Sequence, residues 1–188
     1  FTFRMKFNLP NSLTLLRIIL IPLIIFLFIS GDDSNRFIVF ILFLIASITD
    51  YLDGFFARYM KQQTNFGEFL DPIADKLLVI ITLILLISEN QDIIFLTSTL
   101  IIVTREFLVI AIRQRLAELG ENIKISVLLI SKIKTALQLI SLLFLLYKFP
   151  ILGYDVYLFG TILLQVSAIL TLISFFYYVK KSWNVIIK

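Results

Sequence analysis

Six times this chain runs for about twenty residues with almost no polar break, the length a helix needs to cross roughly 30 Å of hydrocarbon. The runs are read at 13–29, 37–57, 72–88, 93–112, 126–147 and 156–179. Between them lie turn-forming and polar residues: Gly31 to Asn35, Lys61 to Asn65, Ser88 to Asp92, Glu118 to Asn122 and Lys148 to Gly153. Hydrophobic residues make up 60% of 188 residues, and the mean hydropathy is +0.99. A soluble domain is about half apolar, and a single small core could not absorb more. The expected fold is therefore an all-α integral membrane bundle of six transmembrane helices. No linker, low-complexity segment or internal repeat divides it, so one domain is expected over residues 1–188.

Positive charge orients the spans, because short loops rich in Lys and Arg stay cytoplasmic. Arg4, Lys6, Arg58, Lys61, Arg113, Arg115, Lys124, Lys180, Lys181 and Lys188 fall on one side. Only Arg36 and Lys148 fall on the other. Both termini and the connectors after the second and fourth spans are thus expected in the cytoplasm. Arg17, Lys76, Arg105, Lys132 and Lys134 lie inside spans. Any one of them reads most plainly as snorkelling to the interface. Five together, beside buried acids, point to an anionic ligand in the cytoplasmic half.

The absences narrow the chemistry. With no Cys and no His, the chain offers no disulfide framework, no imidazole-ligated zinc and no Ser-His-Asp triad. Catalysis must use carboxylates, Lys or Arg, hydroxyls and oxygen-bound metal ions. The first apolar run is too long for the core of a cleavable signal peptide. Met5 offers a sensible start, with Phe1 to Arg4 upstream of it.

The acids are the most informative residues. The second span ends Asp50-Tyr-Leu-Asp53-Gly54-Phe-Phe-Ala57-Arg58, and the third opens Gly67-Glu-Phe-Leu-Asp71-Pro-Ile-Ala-Asp75. Spacings of three and four place each Asp pair on one helix face. One helix leaves the membrane where the next enters, so all four carboxylates can converge near one surface. Asp71 before Pro72 also reads as an N-cap followed by proline at the first helical position. Asp53 also reads as a solvated helix end. Asp50 follows an unbroken apolar run and is costly to bury without a partner. Four close carboxylates cannot all stay ionised without cations. Two divalent ions would balance them in the arrangement of two-metal phosphoryl chemistry, and oxygen ligands favour Mg²⁺ or Mn²⁺. Gly54, Gly67 and the small Ala57 leave room for a ligand near the backbone, or for close helix packing.

Asp50-x-x-Asp53-Gly54-x-x-Ala57-Arg58, then Gly67-x-x-x-Asp71-x-x-x-Asp75, resembles the signature of the CDP-alcohol phosphotransferase family at every position. The resemblance implies a six-helix membrane fold, commonly a homodimer, with an active-site cavity open to the cytoplasm. It implies an enzyme in which an alcohol hydroxyl attacks the lipid-side phosphorus of a CDP-lipid and CMP is released. Carried over by position, Asp50, Asp53, Asp71 and Asp75 hold two metal ions, and Asp75 is also the base. Asp50, Gly54, Ala57, Arg58, Thr14 and Gly67 border the nucleotide and the CDP-lipid.

The acceptor is suggested by further stretches. Phe7-Asn-Leu-Pro-Asn11-x-Leu-Thr14-x-x-Arg17, Thr104-Arg105-Glu106, Arg113, Ala117 to Gly120 and Lys132-x-Lys134-Thr135-x-x-Gln138 are similar to the phosphatidylglycerophosphate synthase branch of the family. Ser131 departs from it, standing where that branch usually has Gly. The similarity implies CDP-diacylglycerol and sn-glycerol 3-phosphate as substrates, a bilayer as the medium, the bacterial inner membrane as the location and no nucleic-acid partner. Arg105 lies too deep to snorkel, and Glu106, as its neighbour in sequence, is expected to face elsewhere. Arg105, Arg113, Lys132 and Lys134 are the expected phosphate ligands. Within the family the alternative is a cardiolipin synthase using phosphatidylglycerol; enzymes for serine or inositol phosphate fit less well. A small ion-coupled transporter would show broken helices and an inverted repeat, and neither is visible. A membrane scaffold leaves four aspartates at motif spacing unexplained.

Overall fold

The computed structural model describes residues 9–60, 65–90, 92–120 and 129–186. Six α-helices follow one another among the described residues: α1 Leu9–Ile29, α2 Asp33–Met60, α3 Asn65–Glu89, α4 Ile93–Glu118, α5 Leu129–Tyr147 and α6 Val156–Ile186. Each covers one expected apolar run, but most reach further. Helix α3 begins before Asp71, α4 runs past Arg113 and Arg115, and α6 carries Lys180 and Lys181. The extensions are polar helix ends, where hydrophobicity stops before hydrogen bonding does. The expected start of the fifth run, at 126–128, lies outside the described residues.

Local chemistry marks the helix ends. Asp92 caps α4, its side chain accepting from the Ile94 amide at 3.1 Å, which satisfies one of the first-turn donors. Past the other end of α4, Gly120 takes a φ of +70° and its amide donates to the Ala117 carbonyl at 3.1 Å. A side chain is strained in that left-handed conformation, so glycine suits the position.

The chain divides into two compact units, Phe1–Leu86 and Ile87–Lys188. In the first, α1 packs on α2. The buried residues of α1 are Thr14, Arg17, Ile21, Ile24 and Phe28, alternating by three and four, the spacing of one helix face. Val39, Phe43 and Ala46 repeat the pattern on α2, and Ala74, Leu78 and Thr82 follow one another at intervals of four on α3. In the second unit α6 packs on both α4 and α5. Phe95, Ile102, Val109 and Leu116 are buried on α4 at strict intervals of seven. A Cβ built on Gly160 would come within 2.9 Å of Leu145 Cγ, so a missing side chain lets α6 approach α5 closely.

Polarity is distributed inside out. Small polar side chains are interior, including Thr82, Ser98, Thr99, Ser141, Ser167, Thr171 and Ser174. Many large apolar side chains face outward, with Ile19, Phe26 and Ile29 at 70, 71 and 72% exposure. Such a surface suits hydrocarbon, where small residues and interhelical hydrogen bonds hold helices together. Among the described residues, three helices are long and apolar enough to cross a membrane, over Ser12–Ile29, Ile93–Glu118 and Val156–Trp183. Helices α2, α3 and α5 carry the aspartates, Lys132 and Lys134 within their length.

Candidate functional site

In the first unit, two helices bring four site-type side chains together in pairs. Thr14 Oγ1 donates to Asp71 Oδ1, and Arg17 Nη1 donates to Asp75 Oδ1. The local reason is periodicity. Thr14 and Arg17 are three apart on α1, Asp71 and Asp75 four apart on α3, so each pair presents one face and two rungs form. Asp71 and Asp75 flank Ala74, which is fully buried, and so border the packed face of α3.

Two sequence readings are corrected here. Asp71 is not an N-cap: helix α3 starts at Asn65, and Asp71 sits inside it. Proline next to it suggests a helix start, but the backbone is already helical before it. Arg17 does not snorkel. It is 0% exposed while the Asp75 side chain is 38% exposed, so the charge is retained inside the unit because a carboxylate is there to meet it.

Asp50, Asp53, Gly54, Ala57 and Arg58 lie on the last turns of α2, and Gly67 on the first turn of α3. Their side chains lie outside the described residues. Among the described residues, no group of three or more metal-type side chains is assembled; Asp71 and Asp75 are a pair. Both are hard oxygen donors held on one helix face and open to solvent on one side, a donor set that fits Mg²⁺ or Mn²⁺.

The second unit holds a cluster of the opposite composition. Arg105 Nη1 donates to Glu106 Oε1 at 2.8 Å, and Lys134 Nζ donates to the same oxygen at 3.2 Å. All three side chains are largely buried, at 12, 18 and 5% exposure for Arg105, Glu106 and Lys134. The backbone below Lys134 is held too, because Ser167 Oγ of α6 donates to the Lys134 carbonyl at 3.1 Å. Arg105 Nε is buried and makes no hydrogen bond to the described residues.

Glu106 is the residue that sequence reasoning misses. Its place beside Arg105 implies that it faces away, since neighbours on a helix point about 100° apart. The buried line of α4 passes through Ile102 and Val109, and Arg105 and Glu106 fall on either side of it. Both therefore lean into the interior, and long side chains close the remaining gap. The usable signal is the seven-residue repeat of buried positions. An acid in the middle of an apolar run also needs a partner. Of the other expected phosphate ligands, Arg113 and Lys132 are exposed and stand outside this cluster. Lys132 and Lys134 are two positions apart on α5, so only one of them can face inward.

Comparison with known proteins bears on the chain as a whole. Residues 7–179 match the family described as CDP-alcohol phosphatidyltransferase. The chain is 39% identical over 180 residues to a protein of Wigglesworthia glossinidia brevipalpis, covering 96% of this chain and 97% of that one. It is 40% identical over 178 residues to one of Haemophilus influenzae, covering 94% of each. An Escherichia coli K12 protein is 38% identical over 174 residues, covering 93% of this chain and 94% of its own length. All three relatives are named CDP-diacylglycerol–glycerol-3-phosphate 3-phosphatidyltransferase.

Proposed function

This chain belongs to the CDP-alcohol phosphatidyltransferase family, and from that premise we propose that it transfers a phosphatidyl group from CDP-diacylglycerol to sn-glycerol 3-phosphate. The products are phosphatidylglycerophosphate and CMP, a step of phospholipid biosynthesis. The observation that carries the reading is the end-to-end similarity to relatives that share this one name. The buried cations of the second unit support it, since an acceptor that is itself a phosphate monoester needs donors beyond those that hold the diphosphate.

The roles follow from chemistry at named atoms. The acceptor hydroxyl oxygen forms a bond to the lipid-side phosphorus as the bond from that phosphorus to the CMP oxygen breaks. Asp75 takes the hydroxyl proton, and Arg17 fixes the direction of its carboxylate from α1. Thr14 does the same for Asp71. Asp50, Asp53, Asp71 and Asp75 are the proposed ligands of two divalent ions, Mg²⁺ or Mn²⁺. When bound, such ions neutralise the diphosphate and stabilise the leaving phosphate. Gly54, Ala57, Gly67 and Arg58 border the nucleotide, with Arg58 on phosphate. Arg105 and Lys134 bind the phosphate of the acceptor, and Arg113 and Lys132 add positive charge along its approach.

The setting proposed with this activity is a single six-span domain in the bacterial inner membrane. Its termini and active-site cavity face the cytoplasm, and two copies form a homodimer. The decisive assay gives the purified protein CDP-diacylglycerol in detergent with a panel of acceptors and measures CMP release. Glycerol 3-phosphate should be used well and free glycerol poorly. Preference for phosphatidylglycerol, serine or inositol phosphate would overturn the acceptor assignment.

A further inference from the structure

Glu106 is buried, charged and given no part in the chemistry described so far, yet it touches two of the proposed phosphate ligands. We propose that Glu106 is a positioning residue for the acceptor-phosphate clamp. It holds Arg105 and Lys134 side by side through one shared oxygen, so that a phosphate monoester meets both in a fixed geometry. The inference rests on the glycerol 3-phosphate reading and deepens it.

Without an anion, Arg105 and Lys134 are two buried like charges. They would repel each other and turn their long side chains apart, each with several rotatable bonds to lose on binding. Glu106 Oε1 accepts from Arg105 at 2.8 Å and from Lys134 at 3.2 Å, which removes that repulsion and freezes both side chains. The hold leaves Arg105 donors over. A guanidinium has five N–H groups, and Glu106 Oε1 accepts from Nη1 alone. Arg105 Nε is buried with no hydrogen-bond partner among the described residues, a polar group that is costly to leave so unless something accepts from it. A phosphate oxygen is such an acceptor. Two cations share this one carboxylate, a composition suited to an anion. The support is rigid as well: Ser167 ties the Lys134 backbone to α6, and Ile102 and Val109 seal the α4 face on either side. Preorganisation of this kind appears in the binding of one substrate and not the other.

The alternative role for Glu106 is purely structural, a counter-ion that lets Arg105 be buried. Steady-state kinetics of Glu106→Gln, with each substrate varied in turn, separates the two. Positioning predicts that KM for glycerol 3-phosphate rises about tenfold, with kcat and KM for CDP-diacylglycerol within about twofold of the unmodified protein. Glu106→Asp, which keeps the charge on a shorter stem, should fall in between. In an Arg105→Ala, Lys134→Ala background, Glu106→Gln should have no further effect on that KM, since the residue acts through those two. Equal damage to both KM values, an unchanged acceptor KM, or a lowered one would overturn the proposal. A lowered value would mean that Glu106 competes with phosphate. If Glu106→Gln does not fold, Glu106→Asp decides, and an unchanged acceptor KM overturns it. Failure of the unmodified protein to use glycerol 3-phosphate would sink the functional reading itself. Good turnover with an unmoved KM in the variants would sink only this inference.

Discussion

The α1–α3 pairs in the first unit and the α4–α5 cluster in the second both hold buried cations against carboxylates, in opposite proportion. On α3, two carboxylates meet one guanidinium and one hydroxyl from α1. On α4 and α5, two cations meet one carboxylate. Taking ions out of water is costly even when they are paired, so a protein that only needed stability would have little use for either arrangement. In the proposed function each arrangement would be the complement of a ligand: divalent cations for the acids, a phosphate for the bases. In both regions one oppositely charged side chain of the protein itself, Arg17 or Glu106, contacts the proposed ligands.

That contrast can be broken outright by removing metal. Excess chelator should abolish turnover, and Mg²⁺ or Mn²⁺ should restore it, because the carboxylates would have lost their counter-charge. Undiminished CMP release in chelator would end the two-metal proposal. Asp75→Asn should lower turnover by about 10²–10⁴-fold, the usual contribution of a general base, while CDP-lipid binding partly survives. Single-turnover CMP release beside a CDP-lipid binding isotherm measures both; near-normal turnover would remove Asp75 from the role of base.

Arg105→Ala tests the other side. KM for glycerol 3-phosphate, or kcat/KM, should worsen by about ten- to a hundredfold when one charge-assisted hydrogen bond is removed from a dry site. CDP-diacylglycerol should be far less affected. Arg105→Lys should recover only part, since an ammonium lacks the planar fork. Equal damage for both substrates would make Arg105 structural. The smallest expected effect is at Thr14. Thr14→Val removes the donor to Asp71 and should raise the Mg²⁺ concentration for half-maximal activity about fivefold, the size of one such hydrogen bond. Titration of Mg²⁺ at saturating acceptor would show it. A change in the acceptor KM instead would contradict the division of labour between the two regions.

The parts legible without coordinates were those that depend on local spacing. Apolar runs located the helices, because burial in lipid is written as a count of consecutive residues. Asp71 and Asp75 could be placed on one face because a helix repeats every 3.6 residues whatever surrounds it. Arg105 stood out because an isolated cation in an apolar run needs a reason. The helix ends were less legible. Asp71-Pro72 carries the local chemistry of a helix start, yet α3 begins at Asn65.

What only the tertiary structure decided is which charge meets which. Thr14 and Asp71, Arg17 and Asp75, and Glu106 and Lys134 are separated by 57, 58 and 28 residues. No periodicity within one helix reaches that far. Lys132 and Lys134 look alike as residues, but packing of α5 leaves one exposed and buries the other. Glu106 is the sharpest case. Its neighbour in sequence is also its ion-pair partner, because the buried line of α4 runs between them, and that line exists only once α4 has packed against α6. Spacing along one helix told which residues could share a face; the packing of a second helix decided what each face meets, because ion pairs form across helices as well as along them.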